Sequence, residues 1–366
     1  MDNELLYQVA LTLVPHIGPV QAKILAEHFG SAQQVFKAKK KQLSLIEYVG
    51  EVRAASIKAF EGFTAAEEEI AFLEKYQIRP LFITDQDYPK RLLHCYDAPT
   101  LLYYKGDADL NTTKVISIIG TRSNTDYGRQ LTEKLVQELK DHQVLVISGL
   151  AFGIDAIAHK SAYNNGLPTV GVLAHGLDTI YPSQHKTLAK EMLQHGGGLI
   201  TEQRRYSKPD KHNFPKRNRI VAGMADATIV VETAVKGGSM ITAELANSYN
   251  KDVFAFPGRT TDVKSMGCNH LIKQNKAMLL NNAQELLEMM GWEKKKAKTN
   301  IQRAMFIDLT EEERIVLKVL GEKDSTHIDE LYLKTGLSSS SVAASVLNLE
   351  LQGILQSLPG KLYRLA

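Results

Sequence analysis

Residues 144–155 read VLVISGLAFGID and contain the pattern that decides the fold. Val144–Ile147 is a short run of β-branched and aliphatic residues, which is typical of a strand buried on both faces. A turn with two glycines, Ser148–Gly153, follows it, and Ile154 opens a segment with helical spacing. A strand that leads through a glycine turn into a helix predicts a βαβ unit, and hence a parallel sheet covered by helices.

The same pattern recurs on both sides of this stretch, from about residue 63 to residue 291. Five further strand-like runs are present, at Val115–Ile119, Thr169–Leu173, Leu199–Thr201, Thr228–Val231 and Val253–Phe256. Amphipathic segments lie between them, among them Tyr127–Lys140, Ile154–Asn165 and Met240–Asn250. We therefore predict an α/β fold with a Rossmann-like, doubly wound and mostly parallel sheet over residues 63–291, with edge strands supplied by Arg79–Tyr104.

A small helical module is predicted before the sheet domain, over residues 1–62. The turn at Ile17-Gly18 resembles a helix-hairpin-helix (SAM-like) motif, whose glycine lets backbone amides approach a DNA phosphate. A plain helical hairpin that needs a glycine to turn remains the alternative.

A winged helix is predicted after the sheet domain, over residues 305–366, behind a polar and mostly basic linker at 292–304. Thr310 and Glu313 form a capping box ahead of the first helix, and a second helix is expected from about Thr326 to Gly336. A third helix from Ser338 and a hairpin about Pro359-Gly360 complete the pattern.

The composition limits the class of protein. The 366-residue chain has a net charge of +3, which is too small to indicate a nucleic-acid partner by itself. Its first residues lack the regions of a signal peptide, and no run reaches the roughly eighteen apolar residues of a membrane span. Cys95 and Cys268 are far apart and in no Cys/His ligand spacing. We expect a cytoplasmic protein without membrane association, disulfide framework or bound metal.

Three glycine clusters follow predicted strands, at the sheet edge where open α/β folds bind ligands. They are Gly120-Thr121-Arg122, the turn that contains Ser148, Gly149 and Gly153, and Gly237-Gly238-Ser239. Glycine lets backbone amides crowd around an anion, and a helix N-terminus adds partial positive charge. A single cluster could serve only to relieve backbone strain. Three clusters at corresponding positions favour an anion-binding rim.

No cofactor is predicted at this rim. The first turn reads GTRSNT rather than G-x-G-x-x-G, and Ser148 stands where a dinucleotide site needs an acidic residue for the ribose. These differences argue against NAD and FAD. The pattern G-x-x-x-x-G-K-[ST] is also absent, which argues against an ATPase of the P-loop kind.

The densest positive charge lies at residues 203–219, QRRYSKPDKHNFPKRNR, with seven Lys or Arg residues and one Asp. Tyr206, His212 and Phe214 are interleaved with these cations. Single-stranded nucleic-acid sites combine cations for the backbone with aromatic faces for the bases. The run therefore predicts a strand-binding loop, and a solvated basic loop anchored to the core by Phe214 is the alternative.

Catalytic arrangements are weak in this sequence. No H-E-x-x-H, G-x-S-x-G or catalytic Cys/His pairing is present. Glu232 and Glu244 flank the third glycine cluster, as in P-G-G-x-G-T-x-x-E of a Rossmann-like family that cleaves nucleoside monophosphates. The sequence here, VKGGSMITAE, lacks the proline and the third glycine of that signature. We expect a non-enzymatic binding protein and keep a nucleotide-processing hydrolase as the alternative.

Taken together, these motifs resemble the DprA (DNA processing protein A, Smf) family. The resemblance rests on IGTR with YG (119–122, 127–128), SGLAFGID with AH (148–155, 158–159), YPSQHKTLA (181–189), NFPKRNRIVAG (213–223), VVETAVKGGSMITAELA (230–246) and FAFPG with SMGCNHLI (254–258, 265–272). It implies a protein that binds single-stranded DNA and dimerises through the Rossmann-like domain. It further implies that the protein loads RecA-type recombinase onto the strand during natural transformation, with single-strand-binding protein as a further partner.

The resemblance also implies roles for individual residues. Arg122 matches the family's strand-binding arginine, and Lys211 and Phe214 match its basic and aromatic members. Lys186 matches a basic position after Tyr-Pro, where His185 departs from the frequent asparagine. The candidate DNA-binding residues are thus Gly120, Thr121, Arg122, Ser148, Gly149, Gly153, Lys186, Lys211, Phe214, Arg217, Asn218, Arg219, Gly237, Gly238 and Ser239.

The third helix of the predicted winged helix carries no Lys or Arg. Duplex readers need cations near the phosphates, so its sequence favours a protein-contact or accessory role over sequence-specific DNA reading.

Overall fold

A nine-stranded sheet organises the larger part of the chain in this computed structural model, which describes residues 3–293, 309–358 and 361–365. Across the sheet the strands lie in the order β1-β2-β6-β5-β4-β3-β7-β8-β9. They are β1 Arg79–Phe82, β2 Leu101–Gly106, β3 Val115–Ile119, β4 Leu145–Ser148, β5 Thr169–Val172, β6 Gly198–Thr201, β7 Ala227–Val230, β8 Asp252–Ala255 and β9 Met278–Leu279. From β6 to β9 all neighbours are parallel, and β2 and β1 add an antiparallel edge.

The parallel strands are buried on both faces, as the continuous apolar runs predict. All five residues of β3 are buried, and Ile116 pairs with Val146 of β4 on one side and Ala227 of β7 on the other. The chain runs outward from β3 to β6 in one direction and from β7 to β9 in the other. The point where the direction reverses therefore lies between β3 and β7, and open α/β sheets bind ligands at such a point.

Helices cover both faces of the sheet, and the predicted fold class is confirmed. They are α8 Asp126–Glu138, α9 Ile154–Asn164, α10 Lys186–Gln194, α11 Asn213–Met224, α12 Gly238–Ser248, α13 Met266–Lys273 and α14 Ala283–Met289. Leu135, Ala158 and Leu286 belong to the core on one face, and Val221 and Ala243 to the core on the other. The predicted helix ends differ from these bounds by one or two residues.

Seven short helices form the N-terminal part of the same unit, Met1–Trp292. They are α1 Asn3–Leu11, α2 Pro19–Phe29, α3 Ala32–Lys37, α4 Lys40–Ser44, α5 Gly50–Lys58, α6 Phe63–Lys75 and α7 Lys90–Leu93. Their core is continuous with that of β1 and β2. The rings of Tyr7, Phe36 and Phe60 all lie within 5.7 Å of the Phe63 ring. The proposed division between residues 62 and 63 thus falls inside an aromatic cluster, and a separate module over 1–62 stays a prediction.

The second unit, Glu293–Ala366, contains the winged helix. Its elements are α15 Glu311–Leu320, β10 Thr326–His327, α16 Ile328–Thr335, α17 Ser339–Leu351, β11 Leu355–Leu358 and β12 Leu362–Leu365. The capping box is confirmed, since Thr310 and Glu313 exchange side-chain to backbone hydrogen bonds. The expected start of the second helix near Thr326 is wrong, because Thr326 and His327 pair with β12 as a third strand.

Two predictions lie outside the described residues: the linker from residue 294 onward and the turn at Pro359-Gly360. Among the helices that the structure describes, none has both the length and the apolar character needed to cross a membrane.

Candidate nucleic-acid interface

The turns that follow β3, β4 and β7 meet at the carboxyl edge of the sheet and line one cleft of about 620 Å³. The cleft lies where the strand order reverses, as expected for a ligand site in an open α/β sheet. Eleven of the predicted site residues line it: Gly120, Thr121, Arg122, Gly149, Lys211, Phe214, Arg217, Asn218, Gly237, Gly238 and Ser239. The structure therefore brings the three glycine clusters and the end of the basic run into one place.

Close backbone packing holds the turn after β3 and the turn after β4 together. Ile154 donates its amide to the Thr121 carbonyl, and Thr121 donates its own to the Glu232 carbonyl. Gly153 has a φ of 77°, and a Cβ there would lie 2.2 Å from the Thr121 oxygen. Gly153 is therefore needed for the packing of the turns and is not among the residues that line the cleft.

Arg122, Phe214 and Lys211 form the rim of the cleft. Arg122 and Lys211 are exposed, and Phe214 is half-buried. The guanidinium carbon of Arg122 lies 5.3 Å from the centre of the Phe214 ring. The centre of the Tyr181 ring lies 6.1 Å from that of Phe214, and the two rings are tilted by 51°. The rim thus offers two cations beside an aromatic surface, which is a combination suited to a nucleotide phosphate and its base.

Arg217 is buried in the wall of the cleft, with 5% of its surface exposed. Its Nη1 donates to the carbonyl oxygens of Gly149 and Val172. Burial lowers the pKa of Arg217 to about 10, and neighbouring Asp155 opposes that shift, so the guanidinium stays charged at neutral pH. A cation with these contacts supports the turn after β4 rather than facing the open cleft.

Asp155 is a buried carboxyl whose charge interacts with that of Arg217. Burial raises the pKa of the Asp155 carboxyl, while Arg217 and the amides of Ala151 and Gly149 act in the opposite direction. One carboxylate oxygen accepts hydrogen bonds from the amides of Gly149 (3.2 Å) and Ala151 (3.3 Å). Arg217 and Asp155 therefore hold the carbonyl and amide sides of the same turn.

Two further cations of the 203–219 run are also used internally. Arg219 pairs with Glu202 and donates to the Asp97 carbonyl. Arg205 pairs with Glu68 and Glu69 of α6. With Arg217, three of the seven cations have structural contacts, and four are exposed: Arg204, Lys208, Lys211 and Lys216. The basic charge that the run offers to a strand is smaller than its composition indicates.

Four predicted site residues do not line the cleft: Ser148, Gly153, Lys186 and Arg219. Ser148 is buried, and its hydroxyl donates to the Ile118 carbonyl. Lys186 is exposed at the start of α10. Their assignment to the DNA-binding set stays a prediction, and for Ser148 and Arg219 the structure supplies a structural contact instead.

Glu232 and Glu244, the carboxylates of the hydrolase alternative, do not meet in the cleft. Glu232 is buried and accepts hydrogen bonds from the backbone amide and the hydroxyl of Thr125, which caps α8. Glu244 is exposed and lies 3.6 Å from the Lys276 ammonium. Neither carboxylate is placed to act on a nucleotide in the cleft.

Sequence reasoning did not select two residues of this region, Asp155 and Tyr181. Asp155 ends the SGLAFGID turn, and a polar residue at the first turn of a buried helix was the available signal. Tyr181 precedes Pro182 in a motif that was used only for Lys186.

A family model described as DNA recombination-mediator protein A matches residues 79–291. The chain belongs to the DprA/Smf family. Models of the DprA winged helix domain and of a helix-hairpin-helix motif match residues 307–361 and 8–68. The predicted family, the N-terminal helix-hairpin-helix and the C-terminal winged helix are therefore confirmed, and the predicted boundaries of these modules stay predictions.

Relatives in this family match the chain over much of its length. Protein Smf of Synechocystis is 32% identical over 402 residues, covering 99% of each chain. DNA processing protein DprA of Streptococcus pneumoniae is 39% identical over 215 residues, covering 58% of this chain and 75% of its own.

Two solved DprA structures resemble this one. That of the S. pneumoniae protein has a TM-score of 0.63 at 31% identity, covering 79% of this chain and 98% of its own. That of the Helicobacter pylori protein, which concerns its mode of binding single-stranded DNA, has a TM-score of 0.53 at 32% identity. It covers 59% of this chain and 96% of its own.

Proposed function

We propose that this DprA-family chain binds single-stranded DNA in the cleft between β3 and β7. The observation that carries the proposal is the rim: two exposed cations, Arg122 and Lys211, flank the half-buried ring of Phe214. Cations bind consecutive phosphates, and an accessible ring stacks on a base that has left the helical stack. A base inside a duplex presents its edge and not its face, so this rim suits a single strand. The reported strand binding of the H. pylori relative supports the proposal.

The backbone of the cleft adds to this interaction. The turn Gly237–Ser239 opens α12, and Gly238 is exposed at that helix N-terminus. Amides at such a position attract anions without regard to base sequence. The site should therefore bind strands of different sequence with similar affinity.

The protein acts, in this proposal, through binding energy alone. In the described residues no group of three His, Cys, Asp or Glu side chains forms a metal-ligand cluster. Among the described residues that line the cleft, Asp155 is the one carboxyl group, and its oxygen already accepts hydrogen bonds from two amides. A cytoplasmic dimer formed through the Rossmann-like domain would hold one strand at several points, and multivalent contact raises its ability to compete with a tight coating protein. In this proposal the bound strand is delivered to a RecA-type recombinase during DNA uptake.

The test is a titration of labelled oligonucleotides, single- and double-stranded and of several lengths, over a range of salt concentrations. Arg122→Ala and Lys211→Ala should weaken binding of all single strands similarly and reduce the slope of log K against log salt by roughly 0.7 each. Lys134→Ala removes an exposed cation of α8 and is the matched control. Unchanged affinity and slope in a folded Arg122→Ala protein would contradict the proposed site. Release of base from a nucleoside monophosphate would instead support the hydrolase.

A further inference from the structure

Tyr206 is an unusually exposed aromatic residue beside the proposed cleft. Its side chain is 71% exposed, and its backbone has a φ of 63°. Few residues other than glycine and asparagine adopt that conformation, and such outliers concentrate at functional sites. Burial in the protein interior does not account for the position of this ring.

Neighbouring residues fix the ring in place. The Tyr206 amide donates to the Asp178 carboxylate at 2.9 Å, which holds the backbone in this conformation. The guanidinium carbon of Arg205 lies 5.1 Å from the centre of the ring, and Arg205 is itself paired with Glu68 and Glu69. One face of Tyr206 is thereby supported by a fixed cation, and much of its surface stays open to solvent.

The loop that carries Tyr206 packs directly against the loop that carries Tyr181. The Gly176 amide donates to the Ser207 carbonyl at 3.0 Å, and a Cβ at Gly176 would lie 2.5 Å from the Arg204 oxygen. The Tyr181 amide donates to His175, the residue before Gly176. Tyr181 is 49% exposed, and its ring is next to Phe214 on the cleft rim. Exposed aromatic rings are therefore present at the cleft rim and on both of these loops, which carry Tyr181 and Tyr206.

The loop that carries Tyr206 also contains exposed cations. Arg204 and Lys208 are exposed and lie two residues before and two residues after Tyr206 in the sequence, and Lys211 of the same loop lines the cleft. Tyr206 and Lys211 are five residues apart, so the chain between them spans at most about 17 Å. A strand in the cleft can therefore reach Tyr206 within a few nucleotides.

We propose that the loop Arg204–Lys211 is a second subsite for the strand, in which a base stacks on Tyr206 after the strand leaves the cleft over Tyr181. Arg204 and Lys208 bind the phosphates on the two sides of that base. This inference rests on the proposed strand binding, and it adds that the length of strand bound is set by Tyr206.

The experiment compares oligothymidines of increasing length on the wild type and on variants that include Tyr206→Ala, Tyr206→Phe and Arg122→Ala. Tyr206→Ala should bind the shortest strands normally and should bind strands long enough to reach the loop roughly 5- to 150-fold more weakly, the loss expected for one stacked base. Tyr206→Phe keeps the ring and should bind all lengths as wild type does. Tyr96→Ala is the control, since Tyr96 is 66% exposed and packs against Tyr249.

Tyr206→Gly separates stacking from stability. It removes the ring but suits the left-handed backbone, so it should fold normally and show the same length-dependent loss. An equal loss at every length, or no loss at any length, would overturn the second subsite. If Arg122→Ala binds all lengths normally, the cleft proposal itself fails, and that outcome is independent of the Tyr206 series.

Discussion

Arg217→Met should destabilise the larger unit, Met1–Trp292, by about 4 kcal/mol. The change removes the two hydrogen bonds that Arg217 donates to Gly149 and Val172. It also removes the cation whose charge lowers the raised pKa of the buried Asp155 carboxyl. The two lost hydrogen bonds come from a charged group, and each such bond contributes about 1.5–3 kcal/mol. Lys216→Met is the control, because Lys216 is the preceding residue and is exposed.

The unfolding of this unit can be followed without a label. Trp292 is the single tryptophan of the chain and packs against the core formed by α8, α9 and α14. Its fluorescence during a urea titration reports the unit that contains the cleft, since the winged helix has no tryptophan. Strand affinity is measured on the same preparations at low urea, where each variant is folded.

The loss in free energy of unfolding caused by Arg217→Met should increase as the pH rises. Burial already raises the pKa of Asp155, and the loss of Arg217 removes a group that lowers it. A carboxyl with a folded pKa above its unfolded value, about 3.9, favours the folded state at low pH and loses this contribution as the pH rises through the folded pKa. The stability deficit of the variant should therefore be smallest near about pH 4, where the lost hydrogen bonds account for it, and should grow towards neutral pH. Asp155→Asn in the same background should remove that dependence.

If Arg217→Met unfolds at the same urea concentration as wild type while strand binding is lost, Arg217 is a direct ligand of the strand and not a support of the turn.

Two further predictions concern the strand and its delivery. Phe214→Ala should cost roughly 1–3 kcal/mol of binding free energy with little change in the urea midpoint, and the opposite pattern would make Phe214 a core anchor. Filament formation by a RecA-type recombinase on strands coated with single-strand-binding protein should be faster with wild-type protein than with Arg122→Ala or with none, and equal rates in all three would refute the mediator role.

The order of strands, turns and helices could be predicted from the sequence because each unit has a local signature. The twelve residues 144–155 are enough to predict a strand, a glycine turn and the start of a helix, and the turns after β3 and β7 have equally local signatures. Brändén's rule then places the three turns at one edge of the sheet, which the lining of the cleft matches. Strand β10 was missed because two residues are too short to carry a period, and its pairing depends on β12, more than thirty residues away.

Which cations of the 203–219 run make internal contacts and which stay exposed could not be predicted, because these contacts depend on partners distant in sequence. Arg205 pairs with residues 136 and 137 positions away, and Arg217 donates to carbonyls 45 and 68 positions away. The run 203–219 looks uniformly basic, and only the folded arrangement separates exposed lysines from arginines that support the wall. The backbone of Tyr206 is likewise set by Asp178 and not by its own neighbours.

The aromatic cluster about Phe63 bears on how such proteins gain or lose their N-terminal helices. Tyr7, Phe36 and Phe60 precede residue 62, and Phe63 begins the helix that continues into the sheet unit. Deletion of residues 1–62 would expose the Phe63 ring and the apolar surface around it to water, at a cost of about 25 cal/mol for each Å² of apolar surface. Exchange of this region between homologues therefore requires α6 to change with it, so the two segments should evolve as a pair across the predicted boundary between residues 62 and 63.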